Sequence, residues 1–170
     1  MQTHEFVGTR EALTLADLAV LEATHDFTLP TDYKAHLLAH NGGWIRGGAM
    51  FLQPATAEEE AIERDISNFN AVKYGKNTVE SSLEDLSGDI HPDLVPFGDE
   101  TGGDIFVLSV GPQDYGAVYY IAHEFYTPPE EEYDEETDES TPLAPLDYGA
   151  GVHFLASSFT EFLDGLITSS

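Results

Sequence analysis

At 170 residues the chain is long enough for one hydrophobic core and short for two, so a single domain over residues 1–170 is expected. Its 41% hydrophobic content, with 11% aromatic residues, excludes wholesale disorder and a fibrous repeat. The 32 Asp and Glu against six Lys and Arg give −26 at pH 7, which excludes direct non-specific binding to nucleic acid or to an anionic membrane and favours a cationic partner.

There is no cysteine, hence no disulfide framework, thiolate zinc site or cysteine nucleophile. The opening MQTHEFVGTREAL has neither a basic start nor an uninterrupted apolar stretch, and no apolar run reaches the ~20 residues a bilayer requires. A soluble cytoplasmic protein is expected.

Thr14 and Asp17 mark a helix start, and Leu15, Leu18 and Leu21 continue at helical spacing to about His25. Pro30 suits the first turn of a second helix, which carries Tyr33 and Leu37 on one face and stops at Asn41-Gly42-Gly43. Gly47 to Pro54 reads as a strand closed by its proline. Thr56 and Glu59 form a capping-box pattern, and Ile62, Ile66 and Phe69 at i, i+4, i+7 predict an amphipathic helix. A short helix is expected near Val79 to Leu86. The pattern then changes to period two, with strands at Leu94 to Phe97, Ile105 to Val110 and Ala117 to Ala122, separated by turns at Gly98 to Gly103 and Gly111 to Gly116.

From about 126 to 142 the apolar pattern disappears into PPEEEYDEETDESTP, where eight of the ten residues from Glu130 to Glu139 are acidic; like charges at this density resist compaction. A strand resumes between Gly151 and Leu155, and Ser158 with Glu161 caps a closing helix faced by Phe159, Phe162, Leu163 and Leu166. Helices at the ends with strands between them predict an α+β fold, a mainly antiparallel sheet packed against helices.

Candidate chemistry is sparse. His36 and His40 stand at i, i+4, the spacing by which two imidazoles share a zinc ion, but a metalloprotease helix would need a glutamate where Leu37 stands; two partly exposed helix histidines explain the pair better. No metal and no cofactor is therefore assigned. Asp99, Glu100 and Asp104 border a glycine-rich turn and would do acid–base chemistry only if burial separated their pKa values. His123 and Glu124 are the residues an enzymatic reading would test first. GGWIRGG and GDETGG match neither phosphate-binding glycine pattern, and no serine sits in a nucleophile elbow, so no catalytic residue is assigned. Trp44, the only tryptophan, suits an interface anchor or, by preference, the core. The acidic segment lacks a calcium-loop pattern and reads either as a solvated loop or as a charged arm that speeds encounter with a basic partner. Without its eight charges the body still carries −18. With only Lys34, Lys73 and Lys76 as lysines, the acidity also fits adaptation to a saline cytoplasm.

The order LP-x-DYK (Leu29, Pro30, Asp32, Tyr33, Lys34), NGG (Asn41 to Gly43), PFG-x-(D/E) (Pro96, Phe97 and Gly98 with Asp99), GD-x-FVL (Gly103-Asp104 with Phe106-Val107-Leu108), HE (His123, Glu124) and SF-x-EFL (Ser158 to Leu163) resembles the SUKH superfamily, which includes yeast cell-wall-assembly regulators. The resemblance spans about residues 14 to 167. It implies a compact α+β domain without an invariant catalytic set. Bacterial relatives are commonly immunity proteins that bind toxins, many of them nucleases; others are regulatory interaction modules. The expectation is a non-enzymatic immunity-type protein that neutralises a basic toxin. Its contacts would come from Asp99 and Glu100 and from Glu130, Glu131, Glu132, Asp134, Glu135, Glu136, Asp138 and Glu139. A regulatory scaffold and a salt-adapted domain are the alternatives.

Overall fold

The computed structural model describes residues 4–57, 60–87, 89–128, 132–137, 139–141 and 148–168. Among the described residues four helices lie against mostly antiparallel sheet, as an α+β fold requires. Helix α1 (Leu15–His25) starts on a complete capping box: the Asp17 amide donates to Thr14 Oγ1 (3.2 Å) and the Thr14 amide to Asp17 Oδ2 (3.0 Å). It ends at Asp26 in the left-handed region, φ 55°. Leu18 and Leu21 are buried, but Leu15 faces solvent, so the buried stripe is narrower than the leucine spacing predicts.

Helix α2 (Thr31–Ala39) begins just after Pro30, which stands as its N-cap, and buries Tyr33, His36 and Leu37. Helix α3 (Val79–Asp85) is capped by Thr78, and α4 (Phe159–Gly165) by Ser158, whose Oγ accepts from the Glu161 amide at 3.0 Å. The Glu161 carboxylate reaches past the cap to the Ser157 amide (2.9 Å), one residue beyond the partner a capping box uses.

The main sheet runs β11 (Val152–Ala156), β8 (Val118–Ile121), β7 (Ile105–Ser109), β6 (Leu94–Asp99), β5 (Asn68–Phe69), every neighbour antiparallel. Its near-continuous apolar strands reflect burial on both faces. Phe97, Phe106 and Tyr120 meet Tyr33, Phe159 and Phe162 of α2 and α4 in an aromatic core, while Leu94, Val107 and Ile121 pack on the other side beneath Tyr148. Asp32 ties the two helices together, its Oδ2 accepting from the Thr160 amide (2.9 Å) and hydroxyl (3.0 Å). Strand β6 extends through Gly98 and Asp99 past a bulge, so the predicted turn there narrows to residues 100–103.

A three-stranded sheet runs β12 (Ile167–Thr168), β3 (Ala49–Gln53), β4 (Ile62–Ile66), and a two-stranded ribbon pairs β1 (Phe6–Val7) with β2 (Trp44–Ile45). The predicted amphipathic helix through Ile62, Ile66 and Phe69 does not form. Residues 62–66 pair with β3, Ser67 crosses between sheets with its amide on Asp99 O (2.8 Å), and Asn68–Phe69 pair with β6. Glu59 of the supposed cap lies outside the described residues. Gly98 is where β6 accepts this crossing, since a Cβ there would lie 2.8 Å from Ile66 Cδ1 and 2.9 Å from Asn68 O. No helix among the described residues is long and apolar enough to cross a membrane.

Candidate functional site

The β6–β7 connection is a tight acidic turn. The Glu100 amide donates to Asp104 O and the Gly103 amide to Glu100 O, both at 2.9 Å, with Gly103 at φ 107°. The Glu100 carboxylate folds back over the turn to accept from the Gly102 amide (2.5 Å), and the Thr101 amide donates to Ser67 Oγ at 3.1 Å. Asp99 is half-buried at the end of β6. Burial, reinforced by the neighbouring Glu100 charge, holds its carboxyl above the usual aspartate range.

Asp104 is the hub of the adjoining cleft, about 600 Å³, whose lining includes Arg64, Glu100, Asp104, His123, Glu124 and Phe125. Its carboxylate accepts from the Tyr120 hydroxyl and from the His123 amide (2.9 Å), with His123 Nε2 3.7 Å away. The His123 ring lies across the glycine turn, Nε2 being 2.8 Å from Gly102 O, and a Cβ on Gly103 would sit 3.0 Å from it. The Arg64 guanidinium stacks over Tyr120, 4.3 Å from the ring centroid, with Nε donating to Gln53 Oε1 (2.8 Å).

These contacts gather Glu100, Asp104 and His123 around one turn. Burial and the bond to Asp104 push the Tyr120 phenol far above its ordinary range, so its proton stays on the hydroxyl. Glu100, chosen from sequence as a contact, thus shares a cleft with Asp104, His123 and Glu124, the groups weighed for chemistry; Asp99 is set back in the strand.

The acidic segment contains an antiparallel hairpin of β9 (Glu132–Asp134) and β10 (Glu139–Thr141), pairing Glu139 with Asp134 and Thr141 with Glu132. A backbone ladder thus forms where charge density predicts resistance to compaction. Glu135 and Glu136 are exposed in its turn; Glu130, Glu131 and Asp138 lie outside the described residues. The segment leaves and rejoins the body at paired positions, Thr127 and Ala150 exchanging both backbone bonds at 3.1 Å. Tyr148 then anchors the return: its hydroxyl donates to Asp114 Oδ2 (2.7 Å), which also accepts from Tyr119 (2.5 Å), while Ser109 donates to Asp114 Oδ1 (2.5 Å).

The two candidate zinc histidines belong to the packing. His36 is only 8% exposed, not partly exposed as the spacing suggests, and sits among Phe6, Phe69 and Phe159, while His40 stacks on Phe6 at 4.5 Å. Burial pushes His36 down to about 3 and lowers His40 too. No group of three or more ligating side chains among the described residues is placed to hold a metal.

Asn41 carries a role the sequence does not betray. Its amide donates to Glu11 O (2.9 Å) and Val72 O (3.0 Å), and its Oδ1 accepts from the Val72 amide (2.7 Å). The following glycines take φ 79° and 88°; a Cβ on Gly43 would lie 2.3 Å from Val7 O. Trp44 is 48% exposed, so the preferred core placement is wrong. Its ring lies on Gly8, where a Cβ would fall 2.1 Å from it. Only a contact 36 positions away along the chain could have revealed this.

The short sequence signatures are therefore junctions of the fold: Asp32 joins helices, Asn41 joins three segments, Gly98 admits a crossing strand, Asp104 secures the β8 end and Ser158 starts α4. Comparison with curated proteins and with solved structures gives no match. Residues 12–165 match the profile of the SMI1 / KNR4 family (SUKH-1), covering every one of these junctions. The chain belongs to that family.

Proposed function

We propose that this protein is an immunity-type binder that occupies the basic surface of a protein toxin and thereby neutralises it. SUKH-1 membership makes toxin immunity the leading class. The observation that carries the finer reading is the imbalance of 32 acidic against six basic residues, part of it gathered on the Glu100–Asp104 turn and along the acidic hairpin. A nuclease presents cations to phosphate, and an acidic protein competes for that surface without chemistry of its own. The half-buried Asp99 beside Glu100 favours the same outcome, because an incoming cation relieves their mutual repulsion.

The test is to read the neighbouring genes for a toxin and to express any toxin found there together with this chain; a neighbourhood without one favours a regulatory scaffold. Co-expression is expected to rescue growth, and the paired Glu135→Lys, Glu136→Lys variant to slow association several-fold with a shallower salt dependence, while dissociation changes less. Unchanged association kinetics remove the hairpin from the interface.

The second reading, that charge reports habitat, is favoured by the lysine count of three. It requires the chain to lose stability in dilute buffer and regain it in molar potassium chloride. A denaturation midpoint that hardly varies with salt excludes it.

A further inference from the structure

The three-stranded sheet turns an outer face of mixed apolar and acidic side chains to solvent. Met50, Asp65 and Ile167 are cross-strand neighbours on β3, β4 and β12, and Leu52 with Glu63 continues that face two residues along. Leu52 is 48% exposed and Ile167 49%. Beside them a cleft of about 440 Å³ is lined by Trp44, Met50, Asp65, Glu100 and Ile167 among others. Half-exposed Trp44 and Ile167 on the cleft wall, with half-exposed Leu52 farther along the same sheet face, are side chains of the kind an interface centre contains. Trp44 is also held in place before any partner arrives, because its ring rests on Gly8, which reduces the ordering cost of binding.

Charge decides the occupant. Glu63 and Asp65 are exposed on the face itself, and Glu100 lines the cleft. The nearest cation along the chain from Trp44, Arg46, is engaged by Glu5 at 2.9 Å. A second copy of this chain would set acids against acids, at −26 per copy. We infer that the outer face of β12-β3-β4, with Trp44 at its edge, docks a protein surface whose apolar centre is ringed by lysine or arginine. The inference rests on the binding function above and deepens it: charge on the turn and hairpin steers, and this face supplies short-range affinity.

Because Trp44 is the only tryptophan, its emission reports on the face in the unmodified protein. The probes are an amphipathic helical peptide of leucine and lysine and a serine–lysine peptide of equal length and charge, each titrated at physiological ionic strength. The leucine–lysine peptide is expected to bind at least about tenfold more tightly and to shift Trp44 emission to the blue. Leu52→Ser and Ile167→Ser should each remove most of that advantage, and Val20→Ser, on exposed α1, none.

If both peptides bind equally, with strong salt dependence and no response from Trp44, the face is not a docking site while acidic recognition stands. If neither binds even at low salt, acidic recognition itself fails and takes this inference with it. A blue shift of the free chain on concentration gives the face to a second copy and overturns the assignment to a basic partner.

Discussion

Replacing Asn41 by alanine is expected to cost about 3–5 kcal/mol and to lower the melting temperature by roughly 8–15 °C. Asn41 is 2% exposed and makes three bonds, two donated and one accepted, to backbone groups of Glu11 and Val72. Alanine leaves the Val72 amide and carbonyl without those partners in a dry site, where each orphaned group costs about 1–3 kcal/mol. Aspartate keeps the acceptor but loses both donors and sets a charge against two carbonyls, so Asn41→Asp is expected to be worse than Asn41→Ala. Denaturant titration with an unchanged slope checks both. A loss below about 1 kcal/mol for Asn41→Ala would show that the junction of the N-terminal segment, α2 and the Val72 loop does not depend on this side chain.

The second large effect is on acid stability. His36 is held neutral, its pKa pushed down to about 3 by burial and then by His40, against about 6.5 in the unfolded chain. Between those values the unfolded state binds more protons, so stability rises with pH: the contribution is complete above about 6.5 and is lost as pH falls towards 3, up to roughly 5 kcal/mol. His40, lowered by burial, acts with the same sign. Acidification also relieves carboxylate repulsion, which acts in the opposite direction, but mainly near pH 4, where carboxylates titrate. Between about pH 4.5 and 6.5 the histidine effect stands apart. His36→Phe keeps the aromatic packing, removes the buried Nε2 that has no hydrogen-bond partner, and is expected to flatten the stability profile in that window. Parallel profiles for wild type and variant would rule out His36 as the source of acid lability.

What could be read from the sequence was local. Thr14 with Asp17 and Ser158 with Glu161 start helices because a side-chain oxygen three residues upstream of an amide is a nearest-neighbour device. The strands from Leu94, Ile105 and Ala117 are apolar enough to announce themselves. Ile62 and Ile66 misled because a spacing of four fits both a helix and a strand; Phe69 seemed to decide for the helix, but it is out of strand phase only because the chain changes sheets at Ser67. The two-residue strands β1, β2 and β12 are too short to leave a periodic trace. At the candidate site, Glu100 and Asp104 were found from their turn, whereas Arg64 over Tyr120 and Trp44 on Gly8 depend on partners far along the chain.

The stitched base of the acidic hairpin bears on how freely that segment can vary. Thr127 and Ala150 exchange backbone bonds, and Tyr148 is fastened to Asp114, so both ends of the acidic segment are fixed to the body by bonds of their own. Lengthening, trimming or recoding that stretch leaves the core residues untouched. The stretch can thus change in length and charge at a small thermodynamic cost while the scaffold beneath keeps its packing.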